Sequence, residues 1–160
     1  MPNRNATVPA ARVWFRLIRL EARMQAAIGE RLRRIGVSIP QTDVLTTLSE
    51  QEGVSQQELA KRLYVTKGNI SGLIDRLETA GFVERRPAET DRRQHSIHLT
   101  DAGRAMARRA IEVQHRWIDA TLGRMSGEDL AALDKELVTL RDIVRDEERP
   151  SAAPPRAAGA

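Results

Sequence analysis

The sequence predicts a mainly α chain with one small β hairpin, organised as a winged helix-turn-helix with helices before and after it. Three observations lead there. Two short amphipathic stretches, 55–65 and 66–80, are joined by a tight connection, which is the helix-turn-helix pattern. Two strand-like runs, Phe82 to Arg86 and Gln94 to Leu99, flank a charged, breaker-rich segment from Pro87 to Arg93, and so read as a hairpin, the wing. Long helical periodicities fill 10–36 and 102–148, and the first has an apolar face wider than a small central domain would cover.

In chain order, residues 1–9 are polar and proline-punctuated and read as a flexible N-terminus. From Ala10 to Ile35, Val13, Leu17, Leu20, Met24, Ile28, Leu32 and Ile35 recur every three or four residues, with Trp14 and Ile18 marking a second edge and Gly36 a stop. Ser38 and Gln41 match a capping box, with Pro40 tolerated in the first turn, and open a helix to Glu50 that Gly53 stops. Ser55 and Glu58 match a second box, and the short helix that follows turns Leu59 and Leu63 inward. Thr66 caps the next helix, whose stripe is Ile70, Leu73, Ile74 and Leu77 and whose left-handed C-cap is Gly81. After the hairpin, Thr100 caps a helix from Ala102 to about Gly123 with two apolar edges: Met106, Ala110, Val113 and Trp117 on one, Ala107, Ile111, Ile118 and Leu122 on the other. Ser126 caps the last helix, with Glu128 and Asp129 at its positive end. Leu130, Leu133, Leu137, Leu140 and Val144 then form a heptad-like seam that calls for another helix. Residues 150–160 carry no core-forming side chains and read as a disordered tail.

Composition narrows the function. The chain has 160 residues, 41% hydrophobic and 30% charged, as expected of one globular domain. It has no cysteine, which excludes a disulfide framework, a thiolate metal site and a cysteine redox sensor. No apolar run approaches a membrane span, and the N-terminus lacks a signal-peptide core; the expectation is a cytoplasmic protein. The net charge of +4 is modest. Met1 to Gly36 holds eight arginines against Glu21 and Glu30, whereas acids nearly balance bases in the winged segment, so charge alone does not locate a nucleic-acid face.

Together, Asp75-Arg76-Leu77-Glu78 with Gly81-Phe82-Val83, then Asp91-Arg92-Arg93, then Leu99-Thr100-Asp101-Ala102-Gly103 resemble the MarR family of bacterial transcription regulators. The core resemblance covers about a third of the chain, and the flanking helices extend it over nearly all of it. It implies a homodimer that binds double-stranded DNA at a pseudo-palindromic operator, often released by a small ligand. It also implies 10–36 and 102–148 as dimerisation helices around a DNA-binding domain at 37–101. The bland alternative for those helices is a monomeric bundle. Some members sense oxidants through cysteine; this chain cannot.

A recognition helix enters the major groove by its N-terminal residues. Here these are Thr66, Lys67, Gly68, Asn69 and Ser71, opposite the apolar stripe, with Gly72 and Arg76 further along. Lys67 can pair with guanine and Asn69 with adenine. Gly72, unfavourable inside a helix, suggests close approach of its backbone to DNA or to a neighbouring helix. Gln56, Gln57, Arg85 and Arg86 are expected on phosphates. Arg92 and Arg93 at the wing tip suit a phosphate strand or a narrow minor groove; the family's Asp-x-Arg wing element maps onto Asp91 and Arg93, with Asp91, or else Asp75, as the brace. The bland alternatives are a solvated helix face and a solvated turn.

The family's ligand site lies between the dimer helices and the winged domain. Trp14, Phe15, Arg16 and Arg19 on the first helix, with His115 and Trp117 on the fifth, would there suit an aromatic or phenolic carboxylate; the alternative is plain core or dimer contact. His95 and His98 point to opposite faces of a strand and His115 stands alone, so no metal site is expected. No paired carboxylate motif, phosphate loop or nucleophile elbow occurs, so neither catalysis nor a cofactor is expected. The reading is a sequence-specific transcriptional regulator, a repressor released by a small ligand; the alternative is a constitutive or architectural DNA-binding protein without an effector.

Overall fold

The computed structural model describes residues 8–87 and 95–148. The segments 1–7, 88–94 and 149–160 lie outside them, and with them the expected flexible N-terminus up to Thr7, the wing tip and the tail. The elements are α1 (Ala10–Arg34), α2 (Ile39–Glu50), β1 (Val54–Ser55), α3 (Gln56–Arg62), α4 (Lys67–Thr79), β2 (Val83–Pro87), β3 (His95–Leu99), α5 (Asp101–Thr121), a 3-10 turn at Leu122–Arg124, and α6 (Gly127–Glu147). The chain divides after Trp117 into two units. Among the described residues, no helix is long and apolar enough to cross a membrane.

In the first unit, the core collects the inward stripes of α2, α3 and α4 with the sheet and the first turns of α5. Val44, Leu45, Leu48, Leu59, Ile70, Ile74, Leu77, Ile97 and Leu99 are fully buried, each contributing about 1.5–3 kcal/mol relative to exposure. Leu32 brings the C-terminal end of α1 into this core. The sheet order is β1-β3-β2, antiparallel throughout, with Val54 opposite Ile97 on one side and Val83 opposite Leu99 on the other. The sequence reading has two strands; β1 is the third. Two residues are too few to show alternation, and the pairing is set from outside, by Gly53 at φ +78° donating its N–H to the Ile97 carbonyl at 3.0 Å.

The caps follow local chemistry, with one correction. Ser38 and Gln41 form the full reciprocal box. Ser55 Oγ accepts the Glu58 N–H at 3.1 Å, but the Glu58 carboxylate turns to Arg62 instead of reaching back to the Ser55 N–H. Only half of that box forms, because an arginine one turn on competes for the acid. Thr66 Oγ1 accepts from the Asn69 N–H at 3.3 Å, and Thr100 Oγ1 from the Gly103 N–H at 3.0 Å. Gly81 takes the left-handed conformation expected of it, at φ +75°.

Asp43 lies half-buried between Thr42 and Val44 of α2, and burial pushes its carboxyl above the ordinary value. Its ionisation therefore opposes folding. The stability kept by the neutral carboxyl is complete below the unfolded-state value and is lost as pH rises through the raised folded value. Asp43→Asn is expected to raise the thermal midpoint at about pH 7, the gap closing as pH falls into the usual carboxylate range. A pair of melting curves at neutral and acid pH checks this; a constant gap would remove burial of charge as the cause.

In the second unit, Ser126 Oγ accepts from the Asp129 N–H at 3.1 Å and starts α6. No residue of α6 is buried, and Leu130, Leu137, Val138, Leu140, Ile143 and Val144 are all exposed.

Candidate nucleic-acid interface

The candidate surface is the outer side of α4. Its inner side is seated by Ile70, Leu73, Ile74 and Leu77, all buried, so the helix has a fixed orientation on the core. On the outer side Thr66, Lys67, Gly68, Asn69 and Arg76 are exposed, and Ser71 and Gly72 half-buried. Among the described residues no neighbouring helix presses on Gly72: a Cβ there would meet only the Arg76 guanidinium, at 3.8 Å. Of the two reasons for glycine, close approach to a neighbouring helix is absent among the described residues. Gly68 has open space where a side chain would be.

The flank of this surface is built differently from the simple expectation of arginines facing phosphate. Arg85, on β2, forms ion pairs with both Asp75 and Glu78 of α4, which ties the hairpin to the helix. Asp75 is thereby engaged by Arg85. Arg86 pairs with Glu84 on its own strand. Gln56 is half-buried, and its amide nitrogen is enclosed without an acceptor among the described residues; Gln57 is the exposed member of that pair. Asp91, Arg92 and Arg93 lie outside the described residues.

The expected ligand residues are dispersed by exposure. Trp14 and Phe15 are 60% and 58% exposed on α1, Arg16, Arg19 and His115 are exposed, and Trp117 is half-buried. A cavity of about 300 Å³ sits elsewhere, lined by Pro40, Val65, Gly68, Asn69, Gly72, Leu73 and Arg76, where the start of α2 meets the outer face of α4.

This architecture has close parallels. Residues 37–95 match the model of the MarR family. The HTH-type transcriptional regulator TtmR of Methylorubrum extorquens is 37% identical over 109 residues, 66% of this chain and 53% of its own length; the chain thus spans about half of that relative. An HTH-type transcriptional regulator of Bacillus cereus is 31% identical over 127 residues, 79% of this chain and 84% of its own. The chain belongs to the MarR family. A solved structure of the transcriptional repressor CouR bound to a 23-mer DNA duplex is similar over 81% of this chain and 90% of that one, at 28% identity and a TM-score of 0.71. This MarR chain is a transcriptional regulator with a winged helix-turn-helix fold, and its relatives are regulators, not enzymes.

One polar cluster of this MarR chain escaped the sequence reading. Glu52 binds Arg104 of α5 and lies 3.6 Å from His98 Nδ1, while His98 Nε2 is 3.0 Å from Ser96 Oγ. The Glu52 carboxylate also accepts the Leu99 N–H at 3.3 Å. These groups pin the root of the hairpin to the start of α5. The separations in sequence, such as 52 residues between Glu52 and Arg104, leave no local signal from which to find them.

Proposed function

We propose that the protein is a homodimeric, sequence-specific repressor that docks the N-terminal end of α4 in the major groove and is released by a small ligand, acting in the cytoplasm. One observation carries the DNA reading. Lys67 and Asn69, the two side chains suited to base edges, stand exposed on a helix whose opposite face is buried, so the backbone that presents them is oriented before binding. The exposed Val13, Trp14, Phe15, Ile18 and Leu20 of α1 and the exposed seam of α6 support the dimer, with 10–36 and 102–148 as its helices, because apolar patches of this kind are rarely left to water. Two copies would then read half-sites about one helical turn, roughly 34 Å, apart. Thr66, Gly68, Ser71, Gly72 and Arg76 belong to the same docking face, with Asp91, Arg92 and Arg93 at the wing. The proposed releasing ligand is an aromatic carboxylate, held by Trp14, Phe15, Arg16 and Arg19 of α1 with His115 and Trp117 of α5.

The test is fluorescence anisotropy with duplex DNA from immediately upstream of the protein's own gene, against a scrambled duplex. Selective binding with two chains per duplex is expected. Asn69→Ala should lose about 1–3 kcal/mol on the selected duplex and little on the scrambled one. Lys67→Ala should also flatten the dependence of log affinity on log salt by about one unit if its cation neutralises a phosphate. Indifference of both variants on a duplex that the parent selects would overturn the assignment of α4. A panel of aromatic carboxylates that leaves the affinity unchanged would favour a constitutive binder.

A further inference from the structure

Three helices of this chain end with the same hydrogen-bonded turn. At the end of α1, Gly36 N–H donates to the Arg33 carbonyl at 3.0 Å and Val37 N–H to the Leu32 carbonyl at 3.2 Å. At the end of α4, Gly81 N–H donates to Glu78 and Phe82 N–H to Leu77, both at 2.9 Å. At the end of α3, Tyr64 N–H donates to Lys61 at 3.3 Å and Val65 N–H to Ala60 at 3.0 Å. Each turn needs one residue in the left-handed region, where a Cβ is disfavoured. Gly36 and Gly81 meet that need at φ +94° and +75°, but the third position is Tyr64, at φ +52°.

Among the described residues the tyrosine gains no burial in return, for it is 97% exposed. A strained backbone whose side chain makes no packing contact points to a partner outside the molecule. The surroundings say which. Tyr64 is the chain's only tyrosine, and two of its three lysines, Lys61 and Lys67, stand three residues to either side. Both lysines are exposed, and neither joins an ion pair among the described residues. The nearest preceding carboxylate, Glu58, is engaged by Arg62. A neutral hydroxyl donor between two cations suits a polyanion.

We infer that Tyr64 is a DNA contact, its phenol hydroxyl donating to a phosphate oxygen beside the groove that α4 enters. The inference rests on the proposed docking of α4. Phosphate rather than base is the target because Tyr64 precedes the Thr66 cap by two residues and so lies off the helix that reads the groove.

Tyr64→Gly and Tyr64→Phe, with Asn69→Ala for comparison, are to be measured on the upstream and scrambled duplexes and by thermal melting. Tyr64→Gly should melt about 2–4 °C higher, yet bind both duplexes about tenfold more weakly, because a phosphate contact is blind to sequence. Tyr64→Phe should keep the parent midpoint and show the same loss. Parent-like binding by Tyr64→Gly, with Asn69→Ala impaired on the upstream duplex, would overturn the contact and turn Tyr64 toward a protein partner. Parent-like binding by Tyr64→Phe alone would overturn the hydroxyl assignment. A lower midpoint for Tyr64→Gly would overturn the premise of strain. Parent-like binding by Asn69→Ala and Tyr64→Gly together would overturn the docking of α4, and this inference with it.

Discussion

Gly103→Ala is expected to unfold the winged domain or to lower its stability by more than about 4 kcal/mol. A Cβ at this position would stand 1.8 Å from the Phe82 carbonyl oxygen and 2.8 Å from its carbon. The obstacle is backbone, so no side-chain rotation relieves it. Nor is that carbonyl free to swing aside. It accepts the Thr100 N–H at 3.0 Å, and the preceding Gly81 carbonyl accepts Thr100 Oγ1 at 2.6 Å. The same Thr100 hydroxyl caps α5 through Gly103 itself. Relief of the clash would pull apart the junction of α4, β2 and α5. Against a usual total of about 5–15 kcal/mol, the loss takes from about a quarter of the stability to nearly all of it. Urea denaturation followed by circular dichroism measures it, with Gly127→Ala as the comparison, since a Cβ there meets nothing within 4 Å. A Gly103→Ala midpoint equal to the parent's would show that the junction relaxes freely.

Leu77→Ala should lower stability by about 3 kcal/mol, within the usual 2–5 for a buried leucine. Its side chain is fully buried on the inner side of α4, and its carbonyl closes the turn that delivers Phe82 to the sheet. The deletion removes transfer energy and leaves a cavity bounded by a core that cannot collapse onto it. The effect should appear as a lower denaturant midpoint with an unchanged slope. At temperatures where the variant stays folded, its DNA affinity should remain within a few-fold of the parent's, because the outer face of α4 is intact. Asn69→Ala should do the reverse, losing affinity and keeping the midpoint. If Leu77→Ala instead abolished binding while folded, the orientation of α4 would depend on this one side chain.

The sequence announced those elements whose signals are local. Ser38, Thr66, Thr100 and Ser126 cap helices through residues three positions away, and Gly36 and Gly81 end them; such chemistry can be read in a short window. The stripe of α4 and the hairpin follow from periodicity. What stayed hidden depends on partners distant in sequence. β1 exists because β3 is there to pair with it. Arg85, expected on phosphate, is drawn to Asp75 and Glu78 by the folding of the hairpin against α4. Glu52 finds His98 and Arg104 only once the sheet root is assembled. Tyr64 gave no sign at all, since a tyrosine carries no signal for a left-handed turn; only the repeated hydrogen-bond pattern exposes it. Of the DNA-facing candidates, Lys67 and Asn69 lie where helical phase put them, whereas the inward amide of Gln56 is a consequence of packing.

The small sheet has one more consequence, for how copies of this molecule can join. An open sheet invites addition of a strand wherever a row of unpaired amides runs along its border. Here one border is β1, a strand of two residues. The other is β2, which bears Glu84, Arg85 and Arg86 and closes on Pro87, a residue with no N–H to offer an incoming strand. β1 is too short to act as a template, and β2, though five residues long, is blunted by its charges and by Pro87, so growth by strand addition, the usual road to domain exchange and fibres, is disfavoured at both sides. Among the described residues the apolar surface that remains open is helical, and the proposed dimer would form there.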